Sequence, residues 1–101
     1  MLKIREDVDL NVLEKHEFIK LNDWVYVYYP NYNNPKTRYF SSLIIEKSNK
    51  AICFKLENMS CWCNDLEQLE LDIENIKNSY IAFKQKIKEL KENNLIVEVE
   101  E

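Results

Sequence analysis

The sequence predicts a single α+β domain over residues 1–101, in which a small antiparallel sheet packs against one long amphipathic helix. A chain of 101 residues is long enough for one modest hydrophobic core but not for two. Three segments rich in β-branched and aromatic residues are typical of strands. Near the C-terminus, apolar residues recur at alternating spacings of three and four, which is typical of one face of a helix. The predicted order is α-β-β-β-α-β: a short N-terminal helix, a three-stranded meander, the long helix and a possible C-terminal edge strand.

The first predicted element is a short helix over residues 8–16. Asp7 or Asp9 stands where a side-chain oxygen can accept hydrogen bonds from the backbone N–H groups of the first turn. Leu10 and Leu13 are three residues apart, so we expect both to face the core.

Three strands follow this helix. The first covers residues 24–29, Trp-Val-Tyr-Val-Tyr-Tyr. The second and third cover residues 39–46 and 51–57. If Ser48-Asn49 between them is the hairpin loop, it determines the register of the hairpin. On the face that is the better candidate for the core, the opposed pairs are Ile45 with Ile52, Leu43 with Phe54, and Ser41 with Leu56.

The long helix is predicted to begin at Asn64, which caps the first backbone N–H groups together with Glu67. It is predicted to end at Asn93-Asn94, because asparagine tolerates the left-handed conformation that glycine usually supplies. Residues 95–99 then alternate like an edge strand. The apolar face of the helix, called the seam below, consists of Leu66, Leu69, Ile73, Ile76, Tyr80, Phe83, Ile87 and Leu90.

The seam must be covered by the chain's own sheet, by a second copy of the chain, or by a partner protein. At about 1.5 Å per residue, a helix over residues 65–92 is about 42 Å long. A compact domain of this length is only about 33 Å across. The helix is therefore expected either to extend beyond its domain and pair, or to break near Asn78-Ser79.

The charges beside the seam change sign along the helix. In a heptad numbering that starts at Leu66, one flanking position carries Glu70 and then Lys77, Lys84 and Lys91. This gradient suits the helix dipole by itself. It also allows two copies to pair antiparallel, acidic half against basic half.

The composition excludes several classes of function. The net charge of −4, from 18 acidic and 14 basic residues, argues against a general binder of nucleic-acid backbones. Glycine is absent, so the chain contains no Walker phosphate-binding loop, no dinucleotide-binding fingerprint and no nucleophile elbow, all of which need glycine. We expect neither a cofactor nor catalytic activity.

The cysteines and the single histidine do not form a recognisable metal site. Cys61 and Cys63 lack the Cys-x-x-Cys spacing of zinc sites, and only Cys53 and His16 are left to complete four ligands. The first residues are charged, and no segment approaches the ~20 apolar residues of a membrane span. We therefore expect a cytoplasmic protein with reduced thiols and no membrane association.

The first predicted strand carries aromatic side chains that either pack in the core or form an exposed platform. Tyrosine, tryptophan and arginine are common anchors of protein interfaces. The same residue types stack nucleobases, although few positive charges flank them here. The residues that we predict to bind a partner protein are Trp24, Tyr26, Tyr28, Tyr32, Arg38 and Trp62.

The segment from Ile4 to Phe18, Ile-Arg-Glu-Asp-Val-Asp-Leu-Asn-Val-Leu-Glu-Lys-His-Glu-Phe, is followed by a Tyr-rich strand. It resembles the start of small phage and prophage accessory proteins of AT-rich bacteria. In that pattern we expect a glycine before the phenylalanine, where this chain has Glu17. The resemblance implies a stoichiometric binder of host machinery, such as an anti-CRISPR inhibitor of a defence system.

These observations predict a non-catalytic protein-binding module that binds and inhibits a host protein in the cytoplasm of the host cell. The alternative is a structural or regulatory homodimer assembled through the seam between residues 66 and 90. No nucleic-acid partner is expected in either case.

Overall fold

The computed structural model describes residues 1–30, 39–58 and 66–99, and it has the α+β architecture that the sequence predicts. One long helix packs on a four-stranded antiparallel meander, and a two-stranded antiparallel sheet joins the ends of the chain. The elements in chain order are β1 (Leu2–Ile4), a 3-10 helix (Leu10–His16), β2 (Ile19–Asn22), β3 (Val25–Tyr28), β4 (Tyr39–Glu46), β5 (Ile52–Asn58), α1 (Leu66–Glu92) and β6 (Ile96–Glu98).

The order of elements differs from the predicted one by two additional strands, β1 and β2. The C-terminal strand β6 pairs with β1 and not with the meander, whose strand order is β2-β3-β4-β5. β1 has only three residues, and its partner lies at the other end of the chain, so no local pattern indicates the pairing. β2 alternates apolar and polar residues, Ile19-Lys20-Leu21-Asn22, but it has only four residues, and all of its side chains are exposed.

The predicted hairpin is confirmed in its register. β4 and β5 pair antiparallel, with Ile45 opposite Ile52, Leu43 opposite Phe54, and Ser41 opposite Leu56. Ser41, Leu43, Ile45 and Ile52 are buried, as the core assignment of this face predicts. Among the paired residues whose burial is described, Phe54 differs, because more than half of its side chain is exposed beside α1.

The predicted N-terminal helix is present as a 3-10 helix. The Asp9 carboxylate accepts a hydrogen bond from the Asn11 backbone N–H at 3.1 Å, which confirms one of the two predicted caps. Leu10 and Leu13 are both buried, as predicted. The helix ends at Glu17, which adopts the left-handed conformation with φ of 69°.

The C-terminus of α1 also ends as predicted, at an asparagine in the left-handed conformation. Asn94 has a φ of 57°, its N–H donates to the Lys91 carbonyl at 3.0 Å, and the Leu95 N–H donates to the Leu90 carbonyl at 3.0 Å. This pair of bonds is a Schellman motif. The apolar contact that usually accompanies it is supplied here by Leu90 and Leu95, which are both buried.

Two of the three residues in the left-handed conformation among those described are not asparagine, which the sequence did not predict. Glu17 and Lys50 adopt this conformation, and the side chain of each makes contacts that a glycine could not make. The Glu17 carboxylate accepts from Lys86, and the Lys50 ammonium donates to the carbonyls of Glu6 and Val8. These contacts offset the steric cost of the left-handed conformation, about 1–2 kcal/mol per residue.

The helix α1 is continuous through Asn78-Ser79, so the predicted alternative of a break there is wrong. Its 27 residues span about 40 Å, and the molecule has a long axis of 48 Å instead of the ~33 Å of a compact sphere. No helix among the described residues has the length and apolarity of a membrane span.

The face of α1 that packs on the sheet is not the centre of the seam. It follows a line of residues seven apart, Asp72, Ser79 and Lys86, all of which are buried. The Ser41 and Ser79 hydroxyls are 2.8 Å apart, so two small side chains allow the helix to approach the sheet closely. Of the seam residues whose burial is described, only Leu90 is fully buried, and it joins the core.

Candidate binding groove

The seam is covered at its C-terminal end and exposed at its N-terminal end. Leu66, Ile73 and Tyr80 are 77, 57 and 60 % exposed, and Leu69 is also exposed. Ile76, Phe83 and Ile87 are half-buried, and Leu90 is buried. The C-terminal end is the covered one because Leu90 belongs to the main apolar cluster and Phe83 and Ile87 pack against it.

A groove of about 610 Å³ lies between the C-terminal half of α1 and strand β5. Phe54 and Phe83 form its base, with ring centroids 5.3 Å apart and planes inclined at 57°. Leu2 lines the groove from β1. The remaining apolar residues that line it belong to α1 and are Ile76, Tyr80 and Ile87.

The groove is also lined by four lysines, called its rim below: Lys55, Lys84, Lys88 and Lys91. The Lys84 ammonium lies 5.4 Å from the centroid of the Tyr80 ring, and the Lys88 ammonium lies 4.0 Å from the Glu92 carboxylate. An apolar base with a cationic rim complements an amphipathic segment that carries acidic side chains.

The N-terminal half of α1 has the opposite charge. Exposed Leu66, Leu69 and Ile73 stand among acidic residues of the same helix: Glu67, Glu70 and Glu74. One helix therefore carries both an acidic apolar surface and one wall of a basic apolar groove.

The aromatic strand does not form the exposed platform that was one of its two predicted fates. Tyr26 and Tyr28 lie opposite Ile45 and Leu43, on the core face of the sheet. Tyr26 is buried, and the Tyr28 ring lies 5.8 Å from that of Phe18.

Trp24 lies outside β3, in the turn before it, and is 71 % exposed. Its backbone N–H donates to the Asn22 side-chain oxygen at 2.8 Å. Tyr32, Arg38 and Trp62 lie outside the described residues. The structure therefore separates Trp24 from the other two predicted anchors on this strand, and their roles in partner binding stay predictions.

A buried lysine connects α1 to the end of the 3-10 helix. Lys86 is 3 % exposed, and its ammonium donates to the His16 carbonyl at 2.8 Å and to the Glu17 carboxylate at 3.1 Å. It also lies 3.3 Å from the Glu89 carboxylate and 4.7 Å from the centroid of the Tyr28 ring. Its three N–H groups thus have three acceptors, which offsets the cost of burying the charge.

Two pKa values in this cluster are displaced. Burial alone would raise the pKa of the Glu89 carboxyl, but hydrogen bonds from His16, 2.6 Å away, and from Lys86 outweigh it, and the pKa lies below its ordinary value of 4.5. Burial raises the pKa of the Tyr28 hydroxyl above its ordinary value of 10.0, against the opposing charge of Lys86. The cluster therefore favours an ionised Glu89 and a neutral Tyr28 at neutral pH.

Replacing Glu89 by glutamine is expected to make the stability less dependent on acid pH. A carboxyl whose pKa is lowered by folding contributes stability above its unfolded pKa, about 4.5, and this contribution is lost as the pH falls through the folded value. At neutral pH the loss is expected to be within about 1 kcal/mol, because Glu89 is 39 % exposed and water screens the pair.

Urea unfolding of E89Q and the wild type, from neutral pH to below 4.5, measures this difference. Glu92, on the same helix and exposed, provides the matched control E92Q. Equal slopes of stability against pH for E89Q and the wild type would contradict the assigned role of Glu89.

The groove was missed in the sequence because its two walls come from β5 and α1. Lys84, Lys88 and Lys91 follow one another at helical spacings of four and three, so their common face was visible. The exposure of Phe54 could not be recognised in the sequence, because Phe54 lies opposite Leu43 on the face predicted to be the core. Among the described residues, no group of three or more histidine, cysteine, aspartate or glutamate side chains is placed to hold a metal ion.

No protein-family model, curated protein or solved structure matches this chain. The role of the groove is therefore argued from its shape, its lining residues and its charges.

Proposed function

We propose that the chain is a non-catalytic protein-binding module and that the groove between α1 and β5 is its binding surface. The observation that carries this proposal is an open apolar groove with a rim of four lysines, beside an exposed apolar helix face. A surface of this kind fits an amphipathic helix whose apolar side chains enter the groove and whose acidic side chains meet the lysines. The natural partner proposed here is a host protein, and the chain acts as an inhibitor of the kind that phage accessory proteins provide.

A protein segment fits this surface better than a small ligand or a nucleic acid does. A small ligand that fills the groove leaves Leu66, Leu69 and Ile73 exposed, whereas a helix laid along the seam covers them as well. Exposed apolar surface that continues in this way is typical of protein interaction sites. A nucleic acid would meet the carboxylates of the N-terminal half of α1 and a net charge of −4.

Truncating the exposed aromatic side chains of the groove is expected to weaken partner binding. The variant combines Phe54→Ser with Tyr80→Ser, two side chains that are more than half exposed, so the fold is expected to persist. Affinity purification from the native host, with the full chain as bait, should recover a stoichiometric partner with the wild type. The double variant is expected to reduce recovery at least about tenfold, the effect of losing about 1.4 kcal/mol.

Two controls give this experiment its specificity. L21S removes an exposed apolar side chain of β2, and W24A removes the exposed residue of the aromatic site. If the groove is the binding surface, both variants retain the partner, and circular dichroism should match the wild type for all variants. Loss of binding in W24A with retention in the double variant would assign the surface to Trp24. Retention in all three, or no stoichiometric partner, would overturn the proposal.

A further inference from the structure

We infer that the groove binds α1 from a second copy of this chain, in an antiparallel pair with twofold symmetry. This inference rests on the proposed function in one respect, that the groove is a docking site for a protein helix. It identifies the occupant by chemistry that the chain itself contains, an acidic amphipathic helix with exposed apolar side chains.

The seam is complementary to itself when two copies run antiparallel. Its residues lie at equal distances on either side of Asn78, so a twofold axis beside Asn78 brings each residue opposite another of the seam. The opposed pairs between the copies are Leu69 with Ile87, Ile73 with Phe83, and Ile76 with Tyr80.

This register covers what one chain leaves open. Leu69 and Ile73, which are exposed, meet Ile87 and Phe83 of the second copy, which line its groove. Leu90 is buried in its own core, so Leu66 instead lies at the end of the groove where Leu2 and Lys91 of the second copy stand. By symmetry both exposed halves are covered at once.

The charges agree with the same register. Glu67 lies beside Lys88 of the second copy, and Glu70 lies beside Lys84 of the second copy, two lysines of the groove rim. Each pair occurs twice by symmetry. Near the axis, Lys77 meets Lys77 of the second copy, which is the one like-charged pair. Glu74 lies one helical turn from Lys77 on the same helix and opposes this repulsion. Opposite-charge contacts therefore outnumber like-charge contacts in this orientation, which selects the antiparallel arrangement.

A host protein and a second copy then compete for one surface. Dilution favours the monomer by mass action, so it raises the fraction of open grooves. The chain is expected to self-associate when concentrated and to present its groove when dilute or when a partner is in excess.

The molecular mass in solution tests the inference. Analytical ultracentrifugation of the full chain is expected to show twice the mass of 12.2 kDa at high concentration. I73D, which places a carboxylate in the middle of the paired seam, is expected to sediment as a monomer. Its matched control is L71D, a neighbouring exposed apolar residue off the seam, which is expected to remain dimeric.

A charge exchange identifies the second copy and its orientation. E70K and K84E alone each place like charges together twice, and each is expected to weaken the dimer about tenfold or more. Mixing the two variants restores both opposite-charge pairs and is expected to recover a heterodimer with nearly wild-type affinity. A wild type that stays monomeric at all concentrations, or a mixture that does not recover, would overturn the inference.

The failure of this inference can be told apart from failure of the proposed function. A monomeric wild type whose partner is lost on the F54S/Y80S change leaves the protein-binding function intact and removes only the second copy. A dimer with the expected charge pattern, but with partner recovery unaffected by F54S/Y80S, supports the second copy as the occupant and overturns the groove as the site that binds the host protein.

Discussion

Replacing Leu90 by alanine is expected to lower the free energy of unfolding by about 2–5 kcal/mol. Leu90 is fully buried and belongs to the main apolar cluster, which also contains Ile4, Leu13 and Leu95. Removing its side chain leaves a cavity where α1, β1 and the 3-10 helix meet. A loss of this size is a large fraction of the stability of an ordinary domain, about 5–15 kcal/mol.

The matched control is the same substitution at the other end of the same seam. Leu66 is exposed, so L66A is expected to change the free energy of unfolding by no more than about 0.5 kcal/mol in the monomer. Urea unfolding of both variants in an I73D background measures this contrast without a contribution from self-association. Equal losses in L66A and L90A would mean that the seam packs inside the domain along its whole length.

The features that sequence predicted best depend on neighbouring residues. The turn at Ser48-Asn49 determines the pairing of β4 with β5, because a short connection permits few registers. The end of α1 depends on Asn94 and the two leucines beside it, which form one capping motif. Such signals lie within a few residues of each other, so they can be recognised without knowledge of the rest of the fold.

The pairing of β1 with β6 could not be recognised in this way. The alternation of residues 95–99 predicts β6 itself, but β1 has only three residues and is too short to show a period, so the sequence does not identify the partner of β6. What holds them is distant: the chain's first amino group bonds Glu98 at 3.1 Å, and the Ile4 N–H donates to the Lys50 carbonyl at 2.8 Å. Both contacts join residues that are far apart in the sequence, so no local pattern indicates them.

The rotation of α1 about its axis was the most consequential feature that the sequence left undetermined. A heptad pattern identifies an apolar stripe, but the line that packs on the sheet also depends on the size and polarity of the residues beside it. Ser79 fits against Ser41, and the Lys86 ammonium reaches the end of the 3-10 helix. These polar contacts rotate the seam partly out of the domain, which creates the groove and exposes the surface that we propose as its occupant.

Replacing Lys86 by methionine is expected to lower the free energy of unfolding by about 2–4 kcal/mol, somewhat less than the loss when one partner of a fully buried ion pair is removed. The methionine side chain fills much of the same space, so the loss reports the ammonium group. The hydrogen bonds from the ammonium to the His16 carbonyl, at the end of the 3-10 helix, and to the Glu17 and Glu89 carboxylates are lost. Both carboxylates retain contact with water, which moderates the effect.

The control is K88M, the same substitution two residues along the helix. Lys88 is exposed, and its ion pair with Glu92 is long at 4.0 Å. The loss of its charge is therefore expected to cost no more than about 0.5 kcal/mol. Urea unfolding compares the two variants at neutral pH. A K86M protein as stable as the wild type would mean that the desolvation of the ammonium cancels its hydrogen bonds, as occurs for some buried ion pairs.

The pKa of Glu89 gives the same substitution a second, independent measurement. Burial raises this pKa, and the bonds from His16 and Lys86 lower it to below 4.5. K86M removes one of the two groups whose hydrogen bonds lower the pKa of Glu89, so this pKa is expected to rise. A titration followed by NMR at the carboxyl carbon measures it directly. An unchanged pKa would show that His16 alone holds Glu89 ionised. A rise together with lost stability would show that Lys86, alongside the His16–Glu89 contact, joins the 3-10 helix to α1 and so helps to orient the groove wall.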